Sequence, residues 1–319
     1  MERLKNSKGM RGELTIWQQN LNKSHTGQHD LISSGKLAEL NIDIIALQEP
    51  SINFLGKTIA SRDWTPIYPS THKKEPKKTR TVTLMRSNLP TESWEQVEFQ
   101  SGDVTAVKIS GEWGKLIIFN IYNDCHHDRT IHELTKFHRD NHKMWMEGGS
   151  EDQAHHLMWV GDFNRHHPAW DNLEDDRLFT SDTLAAAETL IMTLAELGLD
   201  SALAAGVPTH VHNVTKKWTR LDQVFVTEHT MDMVMVCEMH HKDRGLNTDH
   251  IPIISQLDVT LGRTLEQKTN NFRDINWDNF RKTLEERMSK FGIPKRIGSQ
   301  ETLNCECDKL TMALQEMIA

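Results

Sequence analysis

Nine short runs of apolar and β-branched residues constrain the fold of this chain more than any other feature of its sequence. Polar residues, Gly or Pro bound each run, and in chain order the runs are LTIWQQN, DIIALQE, TVTLM, VTAVKI, KLIIFNIY, HLMWVGD, LDQVFV, MVMVC and PIISQLDV. Runs of this length and composition predict β-strands. Because several of them are nearly continuous in apolar character, we expect a second sheet or a layer of helices to cover them.

Helical patterns separate the predicted strands and finally replace them. In SDTLAAAETLIMTLAELG, apolar residues recur every three or four positions, Ser181 is placed to cap the start of the helix, and Gly198 is placed to end it. After about Gly262 the strand pattern stops, and two further amphipathic helices follow. The sequence therefore predicts a sheet-rich domain over residues 1–262 and a helical segment, without a catalytic constellation, over residues 263–319.

Composition excludes some classes of protein. No apolar run approaches the roughly 20 residues that a membrane-spanning helix needs. The N-terminus, MERLKNSKGMRGE, is charged and lacks the apolar stretch of a secretory signal, and four scattered cysteines read as reduced thiols. We therefore expect an intracellular protein, either nuclear or cytoplasmic. The net charge of −8 argues against a surface covered in basic side chains.

One segment departs from this acidic balance. Residues 73–80, KKEPKKTR, hold five positive charges in eight positions. Two interpretations are open for this basic run. It is either a solvated loop, which is the commoner origin of such runs, or a rim that contacts phosphate groups through lysines such as Lys77 and Lys78.

Polar side chains gather where the predicted strands end: Asn20, Asn22, Glu49, Tyr122, Asp162, Asn164, Asp222, Asp249 and His250. Each of them alone is more often a turn residue. Together they match a rigid sheet that holds polar groups around an open site. Oxygen ligands without thiolates favour Mg²⁺ or Mn²⁺ over zinc, so Glu49 and Asn20 are candidate metal ligands. His250 is a candidate charged donor to phosphate, provided that a carboxylate holds its ring.

Six motifs occur in an order that resembles one family. QQNLN, LQEP, IYND, GDFNRHHPAWD, TRLDQVFV and NTDHIPI fall between about residues 13 and 258 in the order and approximate spacing of the endonuclease/exonuclease/phosphatase superfamily, and look most like the endonuclease domain of non-LTR retrotransposon polyproteins. The resemblance implies an α/β fold, a four-layer αββα sandwich of two mixed β-sheets flanked by helices, with a C-terminal helical extension. It also implies DNA as the substrate, and the C-terminal segment resembles the region that leads towards a reverse transcriptase encoded downstream.

The resemblance also implies roles for the polar residues. Glu49 and Asn20 would bind Mg²⁺, or Mn²⁺, with Asn22 and Asp249 as supplementary ligands or as ligands of a second metal ion. Asp162 would align and deprotonate the attacking water, and Asn164 and Tyr122 would contact the scissile phosphate. His250, oriented by Asp222, would stabilise charge on the phosphoryl oxygens. Trp170 is placed to stack on a base. The sequence departs from the apurinic endonucleases at Asn22, where they carry Asp, which weakens the case for a second metal ion.

Three function classes follow from these motifs. The first is a Mg²⁺-dependent endonuclease that nicks DNA and leaves 3′-hydroxyl and 5′-phosphate ends. The second is a phosphomonoesterase of the same superfamily that acts on inositol phosphates or another small molecule. The third is a catalytically idle remnant of a retroelement that only binds a partner. The retroelement motifs favour the first class, and the intact set of polar residues argues against the third.

Overall fold

The computed structural model describes residues 10–141, 156–212, 214–259, 261–262, 276–292 and 296–318. Contacts between residues divide the chain into two compact units, Met1–Leu265 and Glu266–Ala319. We call them unit 1 and unit 2. Among the described residues, no helix is both long enough and apolar enough to cross a membrane.

Unit 1 is built mainly from strands. In chain order they are β1 (Met10–Arg11), β2 (Leu14–Asn20), β3 (Ile44–Gln48), β4 (Trp64–Ile67), β5 (Thr81–Arg86), β6 (Trp94–Val97), β7 (Val104–Gly111), β8 (Gly114–Tyr122), β9 (His156–Asp162), β10 (Leu199–Ser201), β11 (His210–Val211), β12 (Trp218–Thr219), β13 (Asp222–Thr227), β14 (Val234–Met239), β15 (Ile253–Leu257) and β16 (Leu261–Gly262). Its helices are α1 (His25–Ser33), α2 (Lys36–Glu39), α3 (Arg129–Asp140), α4 (Ser181–Leu197) and α5 (Glu228–Met231).

Twelve of these strands form two six-stranded sheets. The strand order is β10-β13-β9-β8-β7-β6 in sheet I and β14-β15-β2-β3-β5-β4 in sheet II. Each sheet is mixed, because β8 and β9 are parallel in sheet I and β2 and β3 are parallel in sheet II, while the other neighbours are antiparallel. The two remaining pairs, β1 with β16 and β11 with β12, are short antiparallel ribbons.

The core lies in three layers. The central layer joins residues from both sheets, such as Ile16 and Met85 of sheet II and Ile118 and Val160 of sheet I. A second layer covers the outer face of sheet I, and a third covers the outer face of sheet II. Because side chains alternate along a strand, Ile118 enters the central layer while its neighbour in β8 enters the outer one. This is the predicted sandwich of two mixed sheets flanked by helices.

Helix α4 shows how the flanking helices attach. Ala187, Leu190 and Leu194 are buried on one face, and the last two pack in the outer layer of sheet I. The helix ends at Gly198, whose φ of 63° is left-handed, as predicted. Its cap differs from the prediction: Thr180, not Ser181, has extended backbone and accepts a hydrogen bond from the Thr183 amide, so Ser181 is already the first helical residue.

Unit 2 consists of two helices, α6 (Trp277–Ser289) and α7 (Gln300–Ile318), with Asn276 capping the first. The C-terminal helical extension is therefore present. Several apolar side chains of these two helices are exposed: Trp277 by 51%, Leu303 by 37% and Leu310 by 43%.

Candidate active site

The carboxyl ends of the two parallel strand pairs meet at one edge of the sandwich. In sheet II, Asn20 lies opposite Gln48, and in sheet I, Tyr122 lies opposite Asp162. The antiparallel strand β13 begins at this same edge, because Asp222 pairs with Asp162. Residues that are far apart in the sequence are thus fixed side by side by strand register.

Asp162 occupies the centre of this edge. Its carboxylate accepts a hydrogen bond from Asn20 Nδ2 at 2.8 Å and another from the Asn164 backbone amide at 3.1 Å. The first of these bonds joins sheet II to sheet I. Gly161, the residue before it, is required by the packing, since a Cβ there would lie 1.9 Å from the carbonyl oxygen of Ile121. The GDFN motif therefore forms the end of a strand that packs closely against the neighbouring strand. Both carboxylate oxygens of its aspartate accept a hydrogen bond.

Asp222 and His250 form a buried pair beside Asp162. His250 Nδ1 lies 2.8 Å from Asp222 Oδ2, and Gln18 donates to the other carboxylate oxygen of Asp222 at 3.2 Å. Asp222 is fully buried and His250 is 6% exposed. Thr248 fixes the loop that carries His250, because its hydroxyl donates to the Asn20 carbonyl at 2.8 Å and accepts from the His250 amide at 3.3 Å. The hydroxyl of the TDH motif therefore holds this loop to β2.

Burial and charge set the protonation of these groups. Burial raises the pKa of Asp162 to about 7, and the negative charge of Asp222 adds to the rise, while His250 opposes it. Burial alone would lower the pKa of His250, but attraction and the hydrogen bond to Asp222 reverse this and raise it to about 9. Near neutral pH, the site therefore combines a carboxyl group poised to exchange a proton with an imidazolium that keeps its proton.

Glu49 and Asn22 lie on the more exposed side of the site. Glu49 follows β3, and its carboxylate lies 3.3 Å from Lys23 Nζ. Asn22 is exposed, and its backbone amide donates to Asn20 Oδ1 at 2.8 Å. Backbone φ is positive at Asn22 (46°), Lys23 (55°) and Glu49 (43°), a conformation that is uncommon outside glycine and clusters at functional sites.

Tyr122 closes the site on the side of sheet I. Its hydroxyl pKa is raised, first by burial and then by the nearby carboxylates of Glu49 and Asp162. The Arg80 guanidinium lies over its ring, 4.5 Å from the centroid. Asn164 also lies on this side, where its side-chain amide donates to the Asn123 carbonyl at 2.9 Å and its φ is 50°. The tyrosine is therefore held protonated at the edge of the acidic cluster.

The oxygen donors of this edge fit a hard divalent cation. Glu49 provides a half-buried carboxylate at the end of β3, and Asn20 provides a carboxamide at the end of the adjacent strand β2. Carboxylate and carboxamide oxygens without thiolates are the donor set that Mg²⁺ takes, usually through few protein ligands. Asn20 already uses its amide nitrogen for Asp162 and accepts one bond from Asn22, which leaves a second lone pair on its side-chain oxygen.

Residues 116–254 match a family model described as endonuclease-reverse transcriptase. Among solved structures, the endonuclease domain of TRAS1, a telomere-specific non-LTR retrotransposon, aligns with a TM-score of 0.59 and 18% identity over 77% of this chain and 99% of that one. The family match over residues 116–254 and the shared fold support a place for unit 1 among the retrotransposon-type endonucleases of the endonuclease/exonuclease/phosphatase superfamily.

Two further solved structures share the superfamily fold. An AP endonuclease from Leishmania major aligns with a TM-score of 0.57 and 12% identity, covering 77% of this chain and 88% of that one. A 3′ phosphatase from Neisseria, NExo, bound to a product DNA hairpin, aligns with a TM-score of 0.55 and 18% identity, covering 77% and 99%. At these identities the likeness is one of fold. None of the curated proteins matches the chain.

The expectation that Trp170 stacks on a base of the substrate is wrong. Trp170 is 1% exposed, its indole nitrogen donates to the Arg165 carbonyl at 3.1 Å, and its ring packs edge-on against Phe225 at 5.8 Å. No face of the ring is open to a base. The tryptophan instead fixes the loop after GDFN to the outer face of sheet I.

The basic run lies next to the site. Lys77 and Lys78 are exposed in a short 3₁₀ turn, Pro76–Lys78. Two residues later, the Arg80 carbonyl accepts from the Glu49 amide at 2.7 Å, and its guanidinium binds Asp103 and Asp124. Arg80 is therefore neutralised by two carboxylates, whereas Lys78 has one exposed partner, Glu75, at 2.6 Å.

His210 is a site residue that motif reading missed. It begins the short ribbon β11–β12, and its ring lies 4.8 Å, centroid to centroid, from that of His250. Its Nε2 is 3.6 Å from Asp249, whose pKa is lowered even though burial acts to raise it, because His210 and His250 both favour its charged form. His210 is one of two histidines in the segment PTHVHN, which belongs to none of the six motifs, so the sequence gives no signal of this position. The position of His210 is revealed only by the structure, in which its ribbon pairs with the NTDH segment.

Proposed function

We propose that unit 1 is a Mg²⁺-dependent endonuclease of the retrotransposon type, which nicks DNA and leaves 3′-hydroxyl and 5′-phosphate ends. The observation that carries the proposal is the pairing of Asp162 and His250 in opposite roles. Both are buried at the same sheet edge, yet one is a carboxyl with a pKa near neutrality and the other is a charged imidazolium. That combination suits hydrolysis of a phosphodiester by general base and charge stabilisation.

Asp162 acts on the attacking water. A general base works best when its pKa lies near the working pH, and the pKa of Asp162 is raised to about 7. The bonds from Asn20 and from the Asn164 amide hold its carboxylate in one orientation. Ionised Asp162 therefore takes a proton from a water that lies in line with the scissile phosphorus. The water oxygen bonds to phosphorus, the bond from phosphorus to the 3′ oxygen breaks, and that oxygen leaves as a hydroxyl after taking a proton from solvent.

His250 acts on the phosphate. Its Nδ1 is engaged by Asp222, so the remaining N–H, on Nε2, is the one available to a phosphoryl oxygen. A preorganised charged donor stabilises the negative charge that develops there. Asn164 and Tyr122, whose raised pKa keeps the hydroxyl protonated, contact the same phosphate group as neutral donors.

Glu49 and Asn20 would hold the Mg²⁺ ion, with Asn22 and Asp249 as supplementary oxygen donors. A bound Mg²⁺ supplies Lewis-acid polarisation and charge neutralisation of the phosphate oxygens. The neutral Asn at positions 20 and 22 keeps the donor set from accumulating negative charge that would repel a phosphodiester.

Unit 2, together with the few residues before it, is proposed as the connecting segment of a retroelement polyprotein. The support is the family model, whose description couples an endonuclease to a reverse transcriptase, and the resemblance of residues 263–319 to such a segment. A reverse transcriptase reading frame directly downstream in the source gene is the expected finding. A downstream sequence that encodes an unrelated protein or none would contradict the proposal.

A phosphomonoesterase is the second candidate, because one solved structure of the same fold is a 3′ phosphatase. It would act on inositol phosphates or another small phosphate ester. An idle binding domain, the third class, would show neither activity.

A supercoiled-plasmid assay separates these classes. With Mg²⁺, the wild type is expected to convert supercoiled plasmid to the open circle, and Asp162→Ala and His250→Ala are each expected to abolish it. DNA ligase should then reseal the nicks, because it joins only 3′-hydroxyl to 5′-phosphate ends. A matched control is Asp200→Ala: Asp200 is an exposed strand aspartate that pairs with Val226, towards the other end of β13 from Asp222. Release of phosphate from inositol phosphates without nicking would instead support the second candidate.

A further inference from the structure

Two histidines face the carboxylate of Asp249, which is also a supplementary donor in the proposed Mg²⁺ site. His210 Nε2 lies 3.6 Å from Asp249 Oδ2, and His250 Nε2 lies 3.9 Å from Asp249 Oδ1. One ligand atom from each of the three residues falls within 4.8 Å of the other two. Among the residues that the structure describes, this is the one group of three or more His, Cys, Asp or Glu side chains with such spacing.

The backbone holds this cluster firmly. His210 and His250 form an isolated antiparallel bridge. On either side of it, the Val211 amide donates to the Asp249 carbonyl at 2.9 Å, and the Ile251 amide donates to the Thr209 carbonyl at 2.7 Å. The backbone of all three residues is therefore fixed. Rotation about the side-chain bonds is enough to bring their donor atoms closer together.

Both imidazole rings are also oriented from behind. His210 Nδ1 lies 3.0 Å from Thr219 Oγ1, and His250 Nδ1 lies 2.8 Å from Asp222 Oδ2. Histidines that bind metals in proteins nearly always have this arrangement, in which one ring nitrogen contacts an oxygen and the other faces the ion. In this cluster the two Nε2 atoms, the ones not held from behind, both face Asp249.

We propose that His210, Asp249 and His250 form a second metal site, one that takes Zn²⁺ or another borderline divalent cation, and that Zn²⁺ bound there inhibits the enzyme. Two imidazoles and a carboxylate suit zinc, whereas Mg²⁺ selects oxygen donors. Three protein ligands leave the fourth tetrahedral position to water or phosphate. Zinc–ligand bonds of about 2 Å require each imidazole nitrogen to move somewhat closer to Asp249 than the 3.6 Å and 3.9 Å that now separate them.

Inhibition follows from the identity of one ligand and rests on the proposed function. His250 Nε2 is the atom proposed to stabilise the phosphoryl oxygens, and a nitrogen bound to zinc no longer carries the proton for that hydrogen bond. His210 has no role in the proposed hydrolysis, so it adds zinc affinity at the cost of making the enzyme sensitive to that ion.

Binding is tested without reference to activity. The full chain with the exposed Cys125, Cys305 and Cys307 changed to Ser, so that no exposed thiol competes for the ion, is titrated with Zn²⁺ by calorimetry and with Co²⁺ as a spectroscopic probe. One tight equivalent is expected. His210→Phe, which keeps a ring against His250 but has no nitrogen, should weaken it at least ~10-fold, and Thr219→Val, which removes the oxygen behind His210, should weaken it by about 10-fold.

His29→Phe is the matched control, because His29 is an exposed histidine on α1. It should leave the tight equivalent unchanged. Equal affinity in the wild type and in both site variants, or a Co²⁺ spectrum without ligand-field bands of a low-coordinate site, would overturn the proposal. If His210→Phe does not fold, as judged by circular dichroism, Thr219→Val carries the same test.

Inhibition is tested in the nicking assay with Mg²⁺ held in excess and Zn²⁺ varied. The zinc concentration that halves the wild-type rate should rise at least ~10-fold in His210→Phe. Zinc binding without loss of nicking would refute the inhibitory role while leaving the site. A wild type that does not nick at all would count against the proposed nuclease, and the calorimetric result would still decide whether the site exists.

Discussion

Two buried histidines of this molecule have opposite charge states. His250 is 6% exposed and His138 is 4% exposed, so both rings are almost fully removed from water. The pKa of His250 is nevertheless raised to about 9, while burial lowers the pKa of His138 to about 4. At neutral pH the first is charged and the second is neutral.

The difference lies in what each ring contacts. His250 binds a buried carboxylate, Asp222, at 2.8 Å. His138, on α3, packs against the rings of Phe119 at 5.1 Å and Trp159 at 5.6 Å. Burial disfavours the imidazolium at both places, and only a nearby negative charge reverses that cost. A buried histidine is therefore a functional candidate when a carboxylate is buried with it, and a packing residue when aromatic rings surround it.

Removal of the charged histidine should have the largest effect. His250→Gln keeps a polar side chain of comparable reach but removes the positive charge. We expect the rate of plasmid nicking to fall by about 10³-fold, within the range that a positioned acid or charged donor contributes. The corresponding change at the neutral histidine, His138→Phe, should leave the nicking rate within a few-fold of wild type. Similar losses in the two variants would abolish the distinction between the rings.

Neutralising Asp222, the partner of His250, should make His250 more like the neutral His138. In Asp222→Asn the ring stays buried but loses the charge that holds its proton, so its pKa should fall. We expect a roughly 10²-fold lower rate at pH 8. The alkaline limb of the rate profile, which in the wild type reflects loss of the His250 proton near pH 9, should move to lower pH. Nuclear magnetic resonance of the ring measures the shift directly, and an unmoved limb would show that Asp222 does not control the charge.

The neutral histidine should appear in stability rather than in activity. The pKa of His138 is lower in the folded chain (about 4) than the ordinary 6.5, so protonation favours the unfolded state. Its contribution is intact above pH 6.5 and is lost as the pH falls towards 4. Between pH 7 and pH 5 we expect the free energy of unfolding to fall by about 2 kcal/mol more in the wild type than in His138→Phe.

Denaturant unfolding at several pH values measures this slope. His132→Phe is the control, because His132 is an exposed histidine of the same helix. It should keep the wild-type slope. A His138→Phe variant with the full slope would mean that another group is protonated on unfolding.

Much of the fold was readable because central strands are apolar on both faces. All nine predicted runs are strands of the two sheets. Three edge strands, β4, β6 and β10, escaped prediction for a physical reason. Each has only one neighbour in its sheet and is partly exposed, β4 contains Pro66 and β10 has only three residues, so none of them carries a continuous apolar run.

The site was readable only where strand register determines it. Asp162, Asp222 and Asn20 meet because they lie at paired positions or at the ends of parallel strands. Trp170 and His210 depend instead on how a loop and a short ribbon fold back onto the sheets. Nothing in the local sequence records whether Trp170 faces inward or whether His210 reaches Asp249, because both outcomes follow from contacts with distant residues.

The lysines of the basic run differ from both buried histidines, because they are charged and exposed to water. Lys77 and Lys78 lie two or three residues before Arg80, whose carbonyl contacts Glu49, so they are placed beside the site rather than within it. The ion pair of Lys78 with Glu75 is exposed, so it contributes little free energy. Lys78 can therefore leave Glu75 to bind a phosphate. If these lysines form a phosphate-contacting rim, Lys77→Ala with Lys78→Ala should weaken DNA binding at low salt.

The expected signature is a smaller salt dependence. Each lysine that neutralises a phosphate contributes about 0.9 to the slope of log K against log salt, so the double variant should flatten that slope by roughly 2. Fluorescence anisotropy of labelled DNA at several salt concentrations measures it. The control double variant, Lys115→Ala with Lys136→Ala, changes exposed lysines at the start of β8 and on α3 and should leave the slope as it is. An unchanged slope in Lys77→Ala with Lys78→Ala would return the basic run to a solvated loop, since a charge that releases no counterion on binding does not touch the DNA backbone.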